Sequence, residues 1–234
     1  MIEIKNVTKK YGNKVAIKDV SFNVEDGEIF AFIGHNGAGK TTLIKAIVGI
    51  HEFDNGDILI NGKSIKDNPV GCKKEMAYVP DNPELYEGMK AIDFINFICD
   101  MYDVSQSVRE KNIKKYAKLF EIEDNLNDTI DSFSHGMKQK IALIAALSHD
   151  PKVLIMDEPF VGLDPKAVFD IKEIMKEMIK EGKIIFFSTH ILDVAEKLCT
   201  RVAIIKKGEL LKVGSMKEIK GDKSLEKVFL DLEG

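Results

Sequence analysis

Residues 29–50 read IFAFIGHNGAGKTTLIKAIVGI, and this stretch decides the fold. IFAFI, 29–33, is a short unbroken apolar run that reads as a buried strand, and TTLIKAIVGI reads as a helix. Between them GHNGAGKT, Gly34 to Thr41, satisfies G-x-x-x-x-G-K-[ST]. An ordinary glycine turn also opens helices; the strand before and the helix after raise the pattern above that. Glycine lets backbone N–H groups turn toward an anion, and the helix behind offers its positive end. The loop Gly34, His35, Asn36, Gly37, Ala38 and Gly39, with Lys40, Thr41 and Thr42, is therefore expected to cradle the phosphates of ATP. Lys40 reaches the β and γ phosphates and Thr41 holds Mg²⁺.

Working outward, KVLIMDEP at 152–159 places two carboxylates at the C-terminal end of an apolar strand, where open α/β sheets gather their ligands. Asp157 suits the metal. Strand alternation sends the adjacent Glu158 to the other side, where it suits general-base work on water. Taken alone, the segment is equally a strand ending in a polar turn before Pro159.

The rest of the chain supplies the frame. Residues 1–33 carry short β-rich pieces with turn signals at Gly12-Asn13 and Asp26-Gly27, which predict paired N-terminal strands. DNGDILINGK is hairpin-like, and a strand is expected around MAYVP. From about 90 to 130 the pattern turns helical: Ile113, Tyr116, Ala117 and Phe120 recur at helical spacing, while Lys111, Lys114, Lys115 and Lys118 take the solvated face. AIDFINFICDMY is apolar on more than one side and is either buried or partner-facing. After 152 strands and helices alternate again through KIIFFS, ILDVAEKLC and RVAII to a turn at Lys207-Gly208, which argues a mainly parallel, covered sheet. The expected division is an α/β core formed by 1–87 and 151–234, the latter with a short tail, and an inserted helical subdomain at 88–150.

Composition narrows the function. The chain has 234 residues, 44% hydrophobic and 31% charged, enough for a substantial core. A net charge of −4 offers no broad positive field, so no nucleic-acid partner is expected. Cys72, Cys99 and Cys199 lie far apart with no C-x-x-C pair and read as small buried hydrophobes rather than a disulfide frame or zinc site. IALIAAL, 141–147, is far too short to span a bilayer.

With FSHGMKQK at 133–140, GLDP at 162–165 and STH at 188–190, the chain resembles an ABC ATPase subunit from end to end. The resemblance implies an α/β P-loop NTPase of the ABC type and a family signature at 133–137, in which Ser134, His135 and Gly136 face the γ-phosphate of ATP held by the opposite subunit. Ser134 is also a good N-cap, and the helix behind it aims its positive end at an anion; a capped helix start without a ligand has the same pattern. The resemblance further implies that Tyr11 stacks on adenine, that Asp164 lies in the loop between the two sites, and that His190 serves as the γ-phosphate switch. It implies ATP and Mg²⁺ as ligands, a transmembrane permease and a second nucleotide-binding subunit as partners, and a cytoplasmic location on the inner membrane face through the permease. The permease contact is expected between Tyr78 and Phe97. The wording SHGMKQK and the tail SLEKVFLDL resemble exporters of drugs, peptides or lipids.

Two departures qualify this. His135 and Met137 stand where the family signature has its first glycine and its glutamine, and His135 either adds a donor toward the phosphate or weakens closure. Asp81 in YVPDNPELY stands where the family has a glutamine; contact with Mg²⁺ and an exposed loop aspartate are both open readings. These departures keep a regulatory or non-transport ABC ATPase with weak hydrolysis as the rival to a transport engine.

Overall fold

The computed structural model describes residues 1–233. The chain opens with an antiparallel hairpin, β1 (Ile2–Tyr11) and β2 (Lys14–Val24), turned at Gly12-Asn13 as the sequence predicts. β3 (Ile29–Ile33) follows, then α1 (Lys40–Ile47), then a second hairpin of β4 (Asn55–Ile60) and β5 (Lys63–Ser64). A short α2 (Pro69–Lys73), capped by Asn68, leads into β6 (Met76–Val79). Three helices come next, α3 (Ala91–Met101), α4 (Gln106–Leu119) and α5 (His135–Ser148). Then come β7 (Val153–Asp157), α6 (Pro165–Lys180), β8 (Ile184–Thr189), α7 (Leu192–Leu198) and β9 (Arg201–Lys206). β10 (Glu209–Ser215), α8 (Met216–Lys220) and α9 (Leu225–Glu233) complete the described chain.

The strands form two sheets. The order β2-β1-β4-β5 is antiparallel; the order β10-β9-β3-β8-β7-β6 is parallel except for β10. Side chains alternate across a strand, so β3, β7, β8 and β9 each feed two cores. Phe30, Phe32, Ile155, Phe186 and Ile205 face α1 and the antiparallel sheet, while Ala31, Met156, Phe187 and Ile204 face the other helices. Phe22 of β2 stacks on Phe30, centroids 5.1 Å apart, and Phe30 on Phe186 at 5.8 Å, which ties the hairpin to the central sheet. Burying each such side chain contributes about 1.5–3 kcal/mol, so β3, and the loop that leaves it, starts from a rigid base.

β6 and β7 pair in parallel although α3, α4 and α5 lie between them in the chain. α5 is buried along Ile141 to Ser148, which explains its all-round apolar run, and Ile113, Tyr116, Ala117 and Phe120 form the buried side of α4 and its end. Within AIDFINFICDMY, Phe94, Ile95 and Cys99 are buried, while Phe97 and Met101 are exposed. All three cysteines are buried and free. Among the described residues no helix is long and apolar enough to cross a membrane.

Candidate nucleotide site

The parallel strands end at one cavity of about 640 Å³. It is lined by Asn36, Gly37, Gly39, Lys40, Thr41 and Thr42 of the loop and helix start, by the carboxylates Asp81, Asp157 and Glu158, and by Tyr11, Lys14, Val15, Ala16 and Lys207. Gly39 has φ 112° and approaches the neighbouring hairpin so closely that a Cβ would lie 2.7 Å from Ala16 O, so only glycine fits. It also starts α1, and no side chain caps that helix. The first N–H groups of α1 therefore have no side-chain acceptor, which is the condition for binding an anion.

Lys40 is 6% exposed. Its ammonium donates to Gly34 O at 2.7 Å and His35 O at 3.3 Å and lies 3.2 Å from Glu158 Oε1. The loop thus folds around its own lysine. Gly34 and Ala38 are buried and do not line the cavity.

Asp157 ends β7 and is 2% exposed. Ser188 Oγ donates to Asp157 Oδ1 and accepts from Glu158 N at 3.1 Å. Glu158 has φ 48°, a left-handed conformation outside the strand. This corrects the expectation from strand alternation: the pleat stops at Asp157, and both carboxylates line the same cavity. Glu158 Oε2 accepts from His190 N at 3.3 Å and from His190 Nδ1 at 3.0 Å. A carboxylate only accepts, so Nδ1 carries the proton.

Tyr11 is 45% exposed at the cavity wall, with its hydroxyl hydrogen-bonded to His51 Nδ1 at 2.7 Å and Lys9 5.1 Å from its ring centre. Burial, then Lys45 and Lys9, lowers the pKa of His51. Asp81 is exposed; desolvation, then the charges of Asp157 and Glu158, raise its pKa. The described residues contain no group of three His, Cys, Asp or Glu side chains arranged to hold a metal. Thr41 with Asp157 and Asp81 still offers hard oxygens on one cavity, which fits an ion such as Mg²⁺ that takes one or two carboxylates and its remaining ligands from phosphates and water.

The chain's similarity to known proteins agrees with this geometry. The family model for "ABC transporter" matches residues 17–161, from the N-terminal hairpin past Glu158. The chain belongs to the ABC transporter family. It is similar to the ABC-type transporter ATP-binding protein EcsA of Bacillus subtilis (strain 168), 35% identical over 99% of this chain and 96% of that one. It is also similar to the methionine import ATP-binding protein MetN of Clostridioides difficile (strain 630), 35% identical over 94% of this chain and 70% of that one. A solved "ATP binding subunit of ABC transporter" superposes with a TM-score of 0.96 at 34% identity, each chain covered completely.

Within this ABC transporter ATP-binding subunit, Ser134, His135 and Gly136 are not among the residues that line the Lys40 cavity. Ser134 caps α5, its Oγ accepting from Met137 N at 3.3 Å. The His135 ring packs on Gly162, where a Cβ would lie 2.7 Å from His135 Cδ2. Lys140 pairs with Asp164 at 2.8 Å, and Asp164 caps α6 through Ala167 N at 2.9 Å; these contacts, the lysine first, lower the Asp164 pKa. The α5 start and the 162–164 turn are therefore one packed unit.

Lys14, Val15, Ala16 and Lys207 of the cavity and the carboxylate anchor Ser188 were not singled out by sequence reasoning. Ser188 lies within the quoted STH, and its position beside Asp157 comes from the β7–β8 pairing.

Proposed function

We propose that the chain binds MgATP in this cavity and hydrolyses it as the engine of a membrane transporter. The convergence of Lys40, Thr41, Asp157 and Glu158 on one cavity, below a helix start that no side chain caps, carries the reading. Lys40 and the loop from Gly34 to Thr42 bind the phosphates, and Tyr11 stacks on the base. Thr41 and Asp157, with Asp81 on the same cavity, would hold Mg²⁺, which when bound would supply positive charge against the phosphates. Glu158 takes a proton from the attacking water as its oxygen bonds to the γ-phosphorus; the bond from γ-phosphorus to the bridging oxygen breaks, and ADP and phosphate leave. His190, donating to Glu158, orients that carboxylate.

Ser134, His135 and Gly136 then serve the ATP held by a second nucleotide-binding subunit, identical or related; that none of them lines the chain's own cavity supports this. The domain division follows, with 88–150 as a helical subdomain moving against a core of 1–87 and 151–234. ATP shifts the open and closed states by its differential affinity for them. The permease contact is proposed between Tyr78 and Phe97, supported by Tyr86, 61% exposed, with its ring 5.9 Å from the exposed Phe97. The subunit would sit on the inner membrane face through that contact. Export is the proposed direction, on the wording of SHGMKQK and the tail.

Phosphate release from ATP by the wild-type chain, lost in Lys40→Ala, tests the engine; no release from the wild type, alone or with its permease, leaves the regulatory rival. Substrate accumulation in inside-out vesicles on adding ATP tests export, and ATP-driven depletion would assign import instead.

A further inference from the structure

The C-terminal helix reaches the phosphate loop. Phe229 of α9 is buried, and its ring meets that of His35 edge to face, with centroids 4.9 Å apart and planes at 71°. His35 is the second residue of the loop. Its carbonyl accepts from Ala38 N at 3.1 Å, closing the loop's turn, and from the Lys40 ammonium at 3.3 Å. One residue thus carries both the turn that shapes the phosphate cradle and the contact with α9.

A second route joins the same parts. Lys206 at the end of β9 donates to Leu232 O of α9 at 3.2 Å, and two residues on Gly208 N donates to Ala38 O at 2.9 Å. α9 is itself anchored. Leu225 and Val228 are buried, and Leu225 N donates to Glu196 Oε2 at 2.8 Å, on α7, while the other oxygen of Glu196 pairs with Lys220 of α8. Helix, hairpin end and loop form one connected body.

We propose that α9 braces the phosphate loop and that Phe229 is a positioning residue, acting through His35, that sets affinity for ATP. This rests on the reading of the cavity as an ATP site. A glycine-rich loop has many accessible conformations, and fixing it in the phosphate-binding one costs conformational entropy at the moment of binding. Packing one side of the loop against a buried ring removes alternatives beforehand. An edge-to-face aromatic contact of this kind corresponds to roughly two- to tenfold in an equilibrium constant.

The experiment is an ATP titration of the full chain as wild type, Phe229→Leu, His35→Ala and the double variant, with Lys40→Ala as control. Leucine keeps apolar bulk in α9 and removes the ring. Phe229→Leu is expected to weaken ATP binding roughly two- to tenfold and to add nothing to that weakening in the His35→Ala background. An unchanged affinity in Phe229→Leu, or effects that simply add in the double variant, as general destabilisation would produce, overturns the brace. Wild-type protein that fails to bind ATP overturns the ATP reading and the brace with it. Normal wild-type binding, lost in Lys40→Ala but indifferent to Phe229, overturns the brace alone.

Discussion

Lys40 Nζ and Glu158 Oε1 stand 3.2 Å apart across the cavity, and neither side chain is more than 11% exposed. The cation assigned to the phosphates is held by the carboxylate assigned to water. Breaking a buried pair by removing one partner is far more costly than exchanging that partner for another. An incoming γ-phosphate offers Lys40 such an exchange and leaves Glu158 with the two donors of His190. On the proposed roles, the pair would link filling of the cavity to release of the general base.

The first prediction concerns Glu158→Gln. Lys40 keeps its carbonyl acceptors on Gly34 and His35, and a neutral amide no longer repels the γ-phosphate, so ATP affinity should hold or increase. Turnover should fall by about 10²–10⁴, the usual contribution of a general base. Equilibrium ATP binding and phosphate release, measured on the same preparation, check this. Unchanged turnover would take the base role away from Glu158.

The second concerns acid stability. The His149 ring, just after α5, lies flat on Tyr102, with centroids 3.7 Å and planes 9° apart, and burial pushes its pKa down to about 4. In the unfolded chain the imidazole protonates near its ordinary value of about 6.5. Between these values the unfolded state binds more protons, so stability falls as pH drops through that window. The loss attributable to this group should reach up to about 3 kcal/mol near pH 4. His149→Phe, which keeps a stacked ring, should flatten that part of the profile in urea denaturation between pH 7 and 4.5. Parallel profiles for variant and wild type would rule the group out.

These two cases show what the sequence exposes and what it hides. GHNGAGKT and KVLIMDEP are legible because each joins a residue pattern to a local strand or helix signal. Ser134 as a cap is legible for the same reason. Glu158 facing the cavity is not, because that depends on a left-handed φ at one residue. β10 escapes because it is an edge strand with Leu211 and Val213 exposed, which leaves no clean alternation. His35 meeting Phe229, and Ser188 meeting Asp157, are contacts between distant parts of the chain that only the sheet order brings together.

The third prediction concerns Asp81. Its pKa is raised by desolvation and by the like charges of Asp157 and Glu158, so the folded state binds this proton more tightly than the unfolded state. Ionised Asp81 therefore costs stability, and the cost appears as pH rises through the carboxylate range and stays constant above it. Asp81→Asn should melt higher than wild type at pH 7, with the gain vanishing below about pH 4, where the wild-type carboxyl is also neutral. A lower melting temperature for the variant at pH 7 would show that the charge has a favourable partner instead.

The last prediction joins the α5 start to the 162–164 turn. Gly162 has φ +78° with His135 Cδ2 2.7 Å from where its Cβ would be, so Gly162→Ala combines backbone strain with a clash. The strain alone costs about 1–2 kcal/mol, and the clash pushes the ring beside the Ser134 cap. In the Glu158→Gln background, ATP and Mg²⁺ should double the solution mass measured by light scattering if, as proposed, the α5 start completes the second subunit's site. Adding Gly162→Ala should raise the protein concentration needed for doubling. Adding His135→Ala as well removes the clash but not the strain, so association should recover in part. A Glu158→Gln variant that binds ATP yet stays monomeric at every concentration would mean that a different chain supplies the opposing face. Full recovery in the triple variant would mean that the ring, and not the backbone of Gly162, governs how the two sites meet.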